Sequence, residues 1–449
     1  MRASTWTLLF FVLGPVPASG QDGSTTGVVD VSDGTRESSR AVVFDAKQRR
    51  KIARLSPLGA PPPSPTNRVA DDPRARALGH FLFFDPRLSS NGEISCATCH
   101  VPELGFSDGK PLAEGLARGS RHTPTIWNVA YQRWFFWDGR ADSLWSQALG
   151  PLENPIEMGT DRLAIAHVVQ RDADLRRAYE ALFGNLPELD ERARFPEHGR
   201  PVPESVDDPL DRAWNGMEAT DRQAIDRVFS NLGKAFEAYE RQLVRRDAPF
   251  DRFAAQLLQA DGAPTDALGP AAQHGLEIFL GRGRCTLCHV GPNLSDREFH
   301  NTSAPPLAGA DENDPGRYRG SQLVARSPFN AASPYSDAPD GTAARRVASL
   351  RQTSESWGEF KTPSLRNLAN RGPYMHQGQF PSLEDVVRFY STLEGSSGRS
   401  HHQEQVLVPL RLNNVEEAAL VAFLDSLSGA PIDPYWLSAP NSPLVSGPR

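Results

Sequence analysis

Cys96-Ala97-Thr98-Cys99-His100 and Cys285-Thr286-Leu287-Cys288-His289 are two complete CxxCH boxes, and together they use all four cysteines of the 449-residue chain. In such a box two thiols can form thioethers with the vinyl groups of a porphyrin, while the adjacent histidine binds the iron from one face. Zinc would need further Cys or His at ligand spacing. A redox dithiol has no use for a histidine after each pair. The spacing therefore implies two covalently attached c-type haems, held by Cys96, Cys99 and His100 and by Cys285, Cys288 and His289.

Covalent haem attachment needs an oxidising compartment, and the N-terminus agrees. Met1 and Arg2 precede an apolar run from Trp6 to Val16 and the small residues Pro17-Ala18-Ser19-Gly20. Residues 1–20 read as a signal peptide cleaved near Gln21, which places the mature chain in the periplasm. That run is too short to span a bilayer, and no later segment is long or apolar enough to try. The formal net charge of -7, from 48 basic and 55 acidic side chains, gives no sign of a nucleic-acid partner.

The boxes must be held by helices, because strand-like alternation is scarce. Helical spacing of apolar residues runs over 75–84, 162–183, 221–245, 268–280 and 414–427, the first and fourth leading into the haem boxes. The fold class is mostly α, with one haem per domain as the simplest division of a chain this long. Residues 21–66, rich in Gly, Ser, Thr and Pro, read as a flexible leader. The first haem domain is expected over 67–262, the second over 263–430, and a tail over 431–449. Residues 190–215 and 301–357 read as long surface loops, the second a candidate cover for the haem region.

Several motifs of unrelated composition then carry a resemblance. Leu82-Phe83-Phe84-Asp85-Pro86-Arg87-Leu88-Ser89, Phe136-Trp137-Asp138-Gly139-Arg140-Ala141, Gln147-Ala148-Leu149-Gly150-Pro151 and Asn154-Pro155-Ile156-Glu157-Met158 occur in that order around the first box. Thr362-Pro363-Ser364-Leu365-Arg366-Asn367 and Pro373-Tyr374-Met375-His376-Gln377-Gly378 follow the second. Over roughly residues 75–430 the chain resembles the bacterial di-haem cytochrome c peroxidase family, which includes MauG. The resemblance implies two cytochrome c-like domains with unequal haems: the one held by His100 a peroxide site, the one held by His289 an electron relay ligated on both faces. It also implies a calcium ion between the domains, with Asn128 and the backbone carbonyls of Arg371 and Pro373 as candidate ligands.

By the same resemblance Glu157 and Gln147 stand at the distal carboxylate and its amide partner, and Trp137 at the inter-haem tryptophan. Splitting a peroxide O–O bond needs a base that carries a proton from the near oxygen to the far one, and burial beside a haem would tune a glutamate for that task. Trp134 and Phe135 read as core packing. Arg121 and Arg366 are candidates to anchor haem propionates.

Haem chemistry permits Met375, His376 or Tyr390 as sixth ligand of the second iron. The family's axial position falls on Tyr390, where electron-transferring members carry methionine and MauG carries tyrosine. A phenolate stabilises oxidised iron and so disfavours electrons arriving from a soluble cytochrome. The loop from Gly109 to Ser120 has no histidine at the place where many members cap the first iron at rest, and Leu116 stands there instead. The first haem is therefore expected to be open without prior reduction, with His122 left as the nearby alternative ligand.

The expected activity is reduction of hydrogen peroxide to water. The electrons come from a small cytochrome c or cupredoxin, or from side chains of a partner protein as in MauG. The rival is a non-enzymatic di-haem electron-transfer cytochrome, which needs both irons fully ligated. The family is often dimeric, and no motif here speaks to a homodimer.

Overall fold

The computed structural model describes residues 41–203, 205, 207–260, 265–396 and 403–448; the expected signal peptide and the first part of the leader lie outside them. Seven helices carry the architecture: α1 (Ala46–Leu55), α2 (Pro73–Phe83), α3 (Leu144–Glu153), α4 (Ala219–Glu240), α5 (Pro270–Leu280), α6 (Leu383–Thr392) and α7 (Asn414–Asp425). Sheet among the described residues is one antiparallel pair, β1 (Phe299–His300) with β2 (Phe360–Lys361), in the register Phe299 to Lys361 and His300 to Phe360.

The helices form two similar bundles. α2 opens at Asp72, whose carboxylate accepts from the Arg74 N–H, with Pro73 at the first helical position. It ends before Asp85-Pro86, and it crosses α4 so closely that a Cβ on Gly79 would lie 1.8 Å from the Ala235 carbonyl oxygen. In the second half α5 crosses α7 in the same way, and a Cβ on Gly275 would lie 1.9 Å from the Ala419 carbonyl oxygen. Each haem box is thus preceded by a helix that packs, through a glycine, against the helix closing its domain. Around the first crossing Leu78, Leu82, Phe83, Leu232, Phe236 and Tyr239 are buried; around the second, Leu276, Phe279, Leu420 and Phe423 are. Side chains of this size contribute about 1.5–3 kcal/mol each when fully buried.

The chain ends cross over between the bundles, and this corrects the expected boundaries. Residues 41–66 are not a flexible leader. Asp45 and Gln48 form a reciprocal cap on α1, and Phe44, Ile52 and Leu55 enter the core of the second bundle. The helix Pro249–Gln259 joins the same core through Phe250, Phe253 and Leu257, so the second core begins before residue 263. At the other end, 431–449 is more than a tail. Trp436 sits in the first core, its carbonyl accepts from the Tyr239 hydroxyl at 2.6 Å, and His80 Nε2 donates to the Ser438 carbonyl at 2.8 Å.

The pattern over 162–183 divides at Asp172 into Arg162–Arg171 and Ala173–Phe183, because the Asp172 side chain turns to accept the N–H groups of Asp174 and Leu175. The 190–215 loop contains the helix Pro209–Asn215, and the 301–357 loop contains Arg317–Arg326 and Thr342–Ala348. Val324 and Val347 of that second loop pack on Trp134.

Candidate active site

The two boxes present their histidines by the same device. His100 Nδ1–H donates to the carbonyl of Phe106, six residues on, at 3.1 Å. His289 Nδ1–H donates to the carbonyl of Leu294, five residues on, at 2.9 Å. A carbonyl only accepts, so Nδ1 carries the proton and Nε2 keeps its lone pair, the tautomer an iron ligand needs. Burial pushes both imidazoles below their ordinary value, which keeps them neutral. Phe106 and Leu294 both have positive φ, 58° and 51°, a costly conformation for a bulky residue, and both side chains are fully buried. Burial of each side chain holds the turn that aims its carbonyl at the histidine.

The cysteines fit thioether formation and not dithiol chemistry. All four are free and half-buried. Burial pushes the Cys99 thiol up to about 11 and Cys285 to about 12, so neither is an activated thiolate. Among the described residues Cys288, Asp296 and His300 form a three-donor cluster, but both His300 ring nitrogens are already engaged, with Asp296 at 2.8 Å and Glu404 at 2.6 Å, and the hydrogen bond to Asp296 leads the effects that raise its pKa. The residues therefore fit two c-type haems, with His100 and His289 proximal.

Around the first box lie Glu157 and the loop over 109–120. Glu157 is close enough to act electrostatically on Cys96 and Cys99. Its Oε1 accepts from Asn154 Nδ2 at 2.6 Å, and burial raises its pKa against the opposing pull of Arg140 and Asn154. The loop is seated on this segment: the Leu116 N–H donates to the Glu157 carbonyl at 3.0 Å and the Ala117 N–H to the Ile156 carbonyl at 3.0 Å. Gln147 is half-buried on α3, a helix the sequence pattern hid because Pro151 interrupts it. His122 has neither ring nitrogen free: Nδ1–H donates to the Lys110 carbonyl at 2.7 Å, and Nε2 lies 3.3 Å from Ser107 Oγ.

Trp137 stands at the seam between the halves. Its Nε1–H donates to the His122 carbonyl at 2.9 Å, its own carbonyl accepts from the Lys361 N–H at 2.8 Å, and its ring lies 6.5 Å from that of His376. His376 stacks on Phe360 with centroids 3.7 Å apart, and burial depresses it to about 3. Tyr390, on α6, lies instead beside the second box. Burial raises its phenol far above the ordinary value, and Cys285 and Cys288 add to the rise.

Arg121 and Arg366 correct the reading of them as propionate anchors, because protein carboxylates already occupy their forks. Arg121 holds Asp314 through Nε and Nη2, both at 2.7 Å, and Asp138 through Nη1 at 2.7 Å. Arg366 holds Asp251 at 2.8 and 2.9 Å, and its Nε donates to the Pro292 carbonyl at 2.6 Å. It is a strut under the turn after His289. At the candidate calcium position the Asn128 amide is engaged on both atoms with the Arg245 backbone, Oδ1 accepting at 2.8 Å and Nδ2 donating at 3.1 Å. Among the described residues no carboxylate acts on neighbouring Arg371, so an ion held by these groups would rest on neutral oxygens.

Sequence motifs could not find Phe106, Leu294 or Asn154 as supporting groups. Asn154 had only its place in the Asn-Pro-Ile-Glu-Met motif as a signal, and the turns after the two histidines, six and five residues long, share no motif.

A family model described as di-haem cytochrome c peroxidase matches residues 73–258. The chain is 34% identical over 361 residues to the cytochrome-c peroxidase IdrP2 of Denitromonas iodatirespirans, covering 79% of this chain and 82% of that protein. It is also 34% identical over 361 residues to the methylamine utilization protein MauG of Methylorubrum extorquens, covering 80% and 79%. The crystal structure of a MauG-like protein associated with microbial copper homeostasis has a TM-score of 0.59 at 26% identity, over 85% of this chain and 98% of that one. The resemblance read from the motifs and the mostly α fold class both hold.

Proposed function

The chain belongs to the di-haem cytochrome c peroxidase family, and on that premise we propose that it is an exported enzyme that reduces hydrogen peroxide to water. The overall change is H2O2 + 2e⁻ + 2H⁺ → 2H2O, with both electrons supplied by a protein donor. The observation that carries the reading is an asymmetry between two otherwise matched boxes: a half-buried glutamate lies beside the first and a half-buried tyrosine beside the second. When bound, the two haems would supply an iron open to peroxide and an iron that stores or relays electrons.

The polypeptide does the proton chemistry. Glu157 takes the proton from the near oxygen of peroxide and delivers it to the far oxygen, which becomes water. Asn154 fixes Oε1 and leaves Oε2 to carry the proton, and the burial that raises the Glu157 pKa brings it nearer the working pH. Gln147 orients the peroxide from α3. Trp137, bonded to both halves of the chain, passes electrons between the haem sites.

Tyr390 in place of methionine favours a donor in the manner of MauG, a partner protein whose side chains are oxidised, over a small soluble cytochrome. Calcium bound through Asn128 and the carbonyls of Arg371 and Pro373 would brace the seam, and no step depends on it. Mass spectrometry of the denatured mature chain should show two retained haems, with Cys285→Ala plus Cys288→Ala removing one. The oxidised protein should show one high-spin haem. A chain of unmodified mass refutes the proposal, and two fully low-spin haems leave an electron carrier instead.

A further inference from the structure

The cations around the boxes divide into two groups. Arg121, Arg162 and Arg366 each rest on a carboxylate at 2.6–2.9 Å. Lys361 and Arg371 do not. The hydrogen bond of Lys361 Nζ goes to the neutral Gln132 Oε1 at 3.3 Å. Arg371 donates Nε–H to the Asn367 carbonyl at 3.2 Å, and its other N–H groups have no acceptor among the described residues. Both side chains are half-buried, and partial withdrawal from solvent pushes Lys361 down to about 8 and Arg371 down to about 10. Leaving a cation unpaired in such surroundings is costly, so native proteins pair it. Among the described residues no anion pairs with either side chain.

Their positions say which anion is missing. Lys361 lies in β2, with its backbone bonded to Trp137, and the carbonyl of the next residue, Thr362, accepts from Ser295 Oγ at 2.8 Å. Ser295 directly follows Leu294, whose carbonyl orients His289. Arg371 lies against Gly105, the neighbour of Phe106, whose carbonyl orients His100. One short segment of the second half therefore brings the Arg371 side chain against the proximal loop of the first box and the backbone beside Lys361 against that of the second, with Lys361 Nζ reaching back to Gln132. A c-type haem joined through its vinyl groups carries two carboxylates on the opposite edge.

We propose that Lys361 and Arg371 are the propionate anchors, Lys361 for the haem held by His289 and Arg371 for the haem held by His100. The assignment rests on the di-haem reading above. It replaces Arg121 and Arg366, which residue type alone nominates and whose charges protein carboxylates already pair.

Spectroelectrochemical titration of the full haem-loaded chain tests it, with haem content counted by pyridine haemochrome. Removing a unit positive charge about 12 Å from an iron, at an effective dielectric of about 20, lowers the reduced-to-oxidised ratio at fixed ambient potential by about ten-fold. Lys361→Gln should shift one of the two reduction waves downward in that way and Arg371→Gln the other. Lys361→Arg should leave both in place. Two haems per chain with both waves unmoved in both neutral variants overturns the anchors and leaves the di-haem reading intact, whereas a wild-type chain without covalent haem refutes that reading itself. Should Lys361→Gln fail to load haem, restoration of haem and wave by Lys361→Arg supports the charge, and failure of Lys361→Arg to restore them overturns it.

Discussion

Replacing Glu157 by glutamine keeps the shape and the Asn154 contact available while removing the ability to take and return a proton. Positioned proton transfer contributes about 10²- to 10⁴-fold in rate, which at 1.36 kcal/mol per ten-fold is about 3–5 kcal/mol of barrier. The local geometry adds a pH dependence. The Glu157 pKa is raised by burial and held back by Arg140 and by the Asn154 hydrogen bond, so the base is lost to protonation above the usual carboxylate range as pH falls. Asn154→Ala removes one of the restraining contacts and should move the acidic limb of the rate profile to higher pH. Stopped-flow mixing of the oxidised protein with hydrogen peroxide, followed in the Soret band, reads both effects. Wild type should react without prior reduction, because the loop on the Glu157 segment carries Leu116 and His122 has both ring nitrogens engaged. Glu157→Gln within two-fold of wild type, together with an acidic limb that Asn154→Ala does not move, would refute the assignment.

Tyr390→Met should raise the reduction potential of the second haem and change its low-spin spectrum; unchanged values would return Met375 or His376 as the sixth ligand. Glu240, fully buried on α4 with Oε2 unpartnered, is raised to about 8 by burial and by Glu237. Its folded form holds a proton the unfolded chain releases, so stability should fall as pH rises from about 4.5 to about 8, at up to about 1.4 kcal/mol per unit. Glu240→Gln should flatten that fall in thermal melts, and a variant melting with the wild-type pH slope would contradict it. Gly275→Leu, with 1.9 Å available at the Ala419 carbonyl, should force α5 off α7 at a cost of at least about 1–3 kcal/mol. A denaturant midpoint equal to wild type would mean that the crossing is not tight.

The chemistry of the boxes was legible in the sequence because it is local. Two cysteines and a histidine within five positions specify covalent haem attachment whatever surrounds them, and 3.6-residue periodicity exposes α2, α4, α5 and α7 to within a few residues. Family motifs nominated Glu157, Trp137 and Tyr390, each a residue type whose chemistry suits the position. Pro151 inside α3 and Asp172 between two helices hid or merged elements, since a local breaker is read before the packing that tolerates it.

Partnerships across the chain were decided only by the tertiary structure. Arg366 meets Asp251 across 115 residues and Arg121 meets Asp314 across 193, and no local pattern distinguishes an arginine already bound to a carboxylate from one waiting for a propionate. The same holds for the exchange of ends, where Phe44 and Ile52 enter the second core and Trp436 the first. A proline-rich segment has weak local preference, and a few large apolar side chains recover their ordering entropy only when a distant surface is there to bury them. The orientation of His100 and His289 depends likewise on Phe106 and Leu294 held at positive φ by burial, a conformation that local preference opposes and the core enforces.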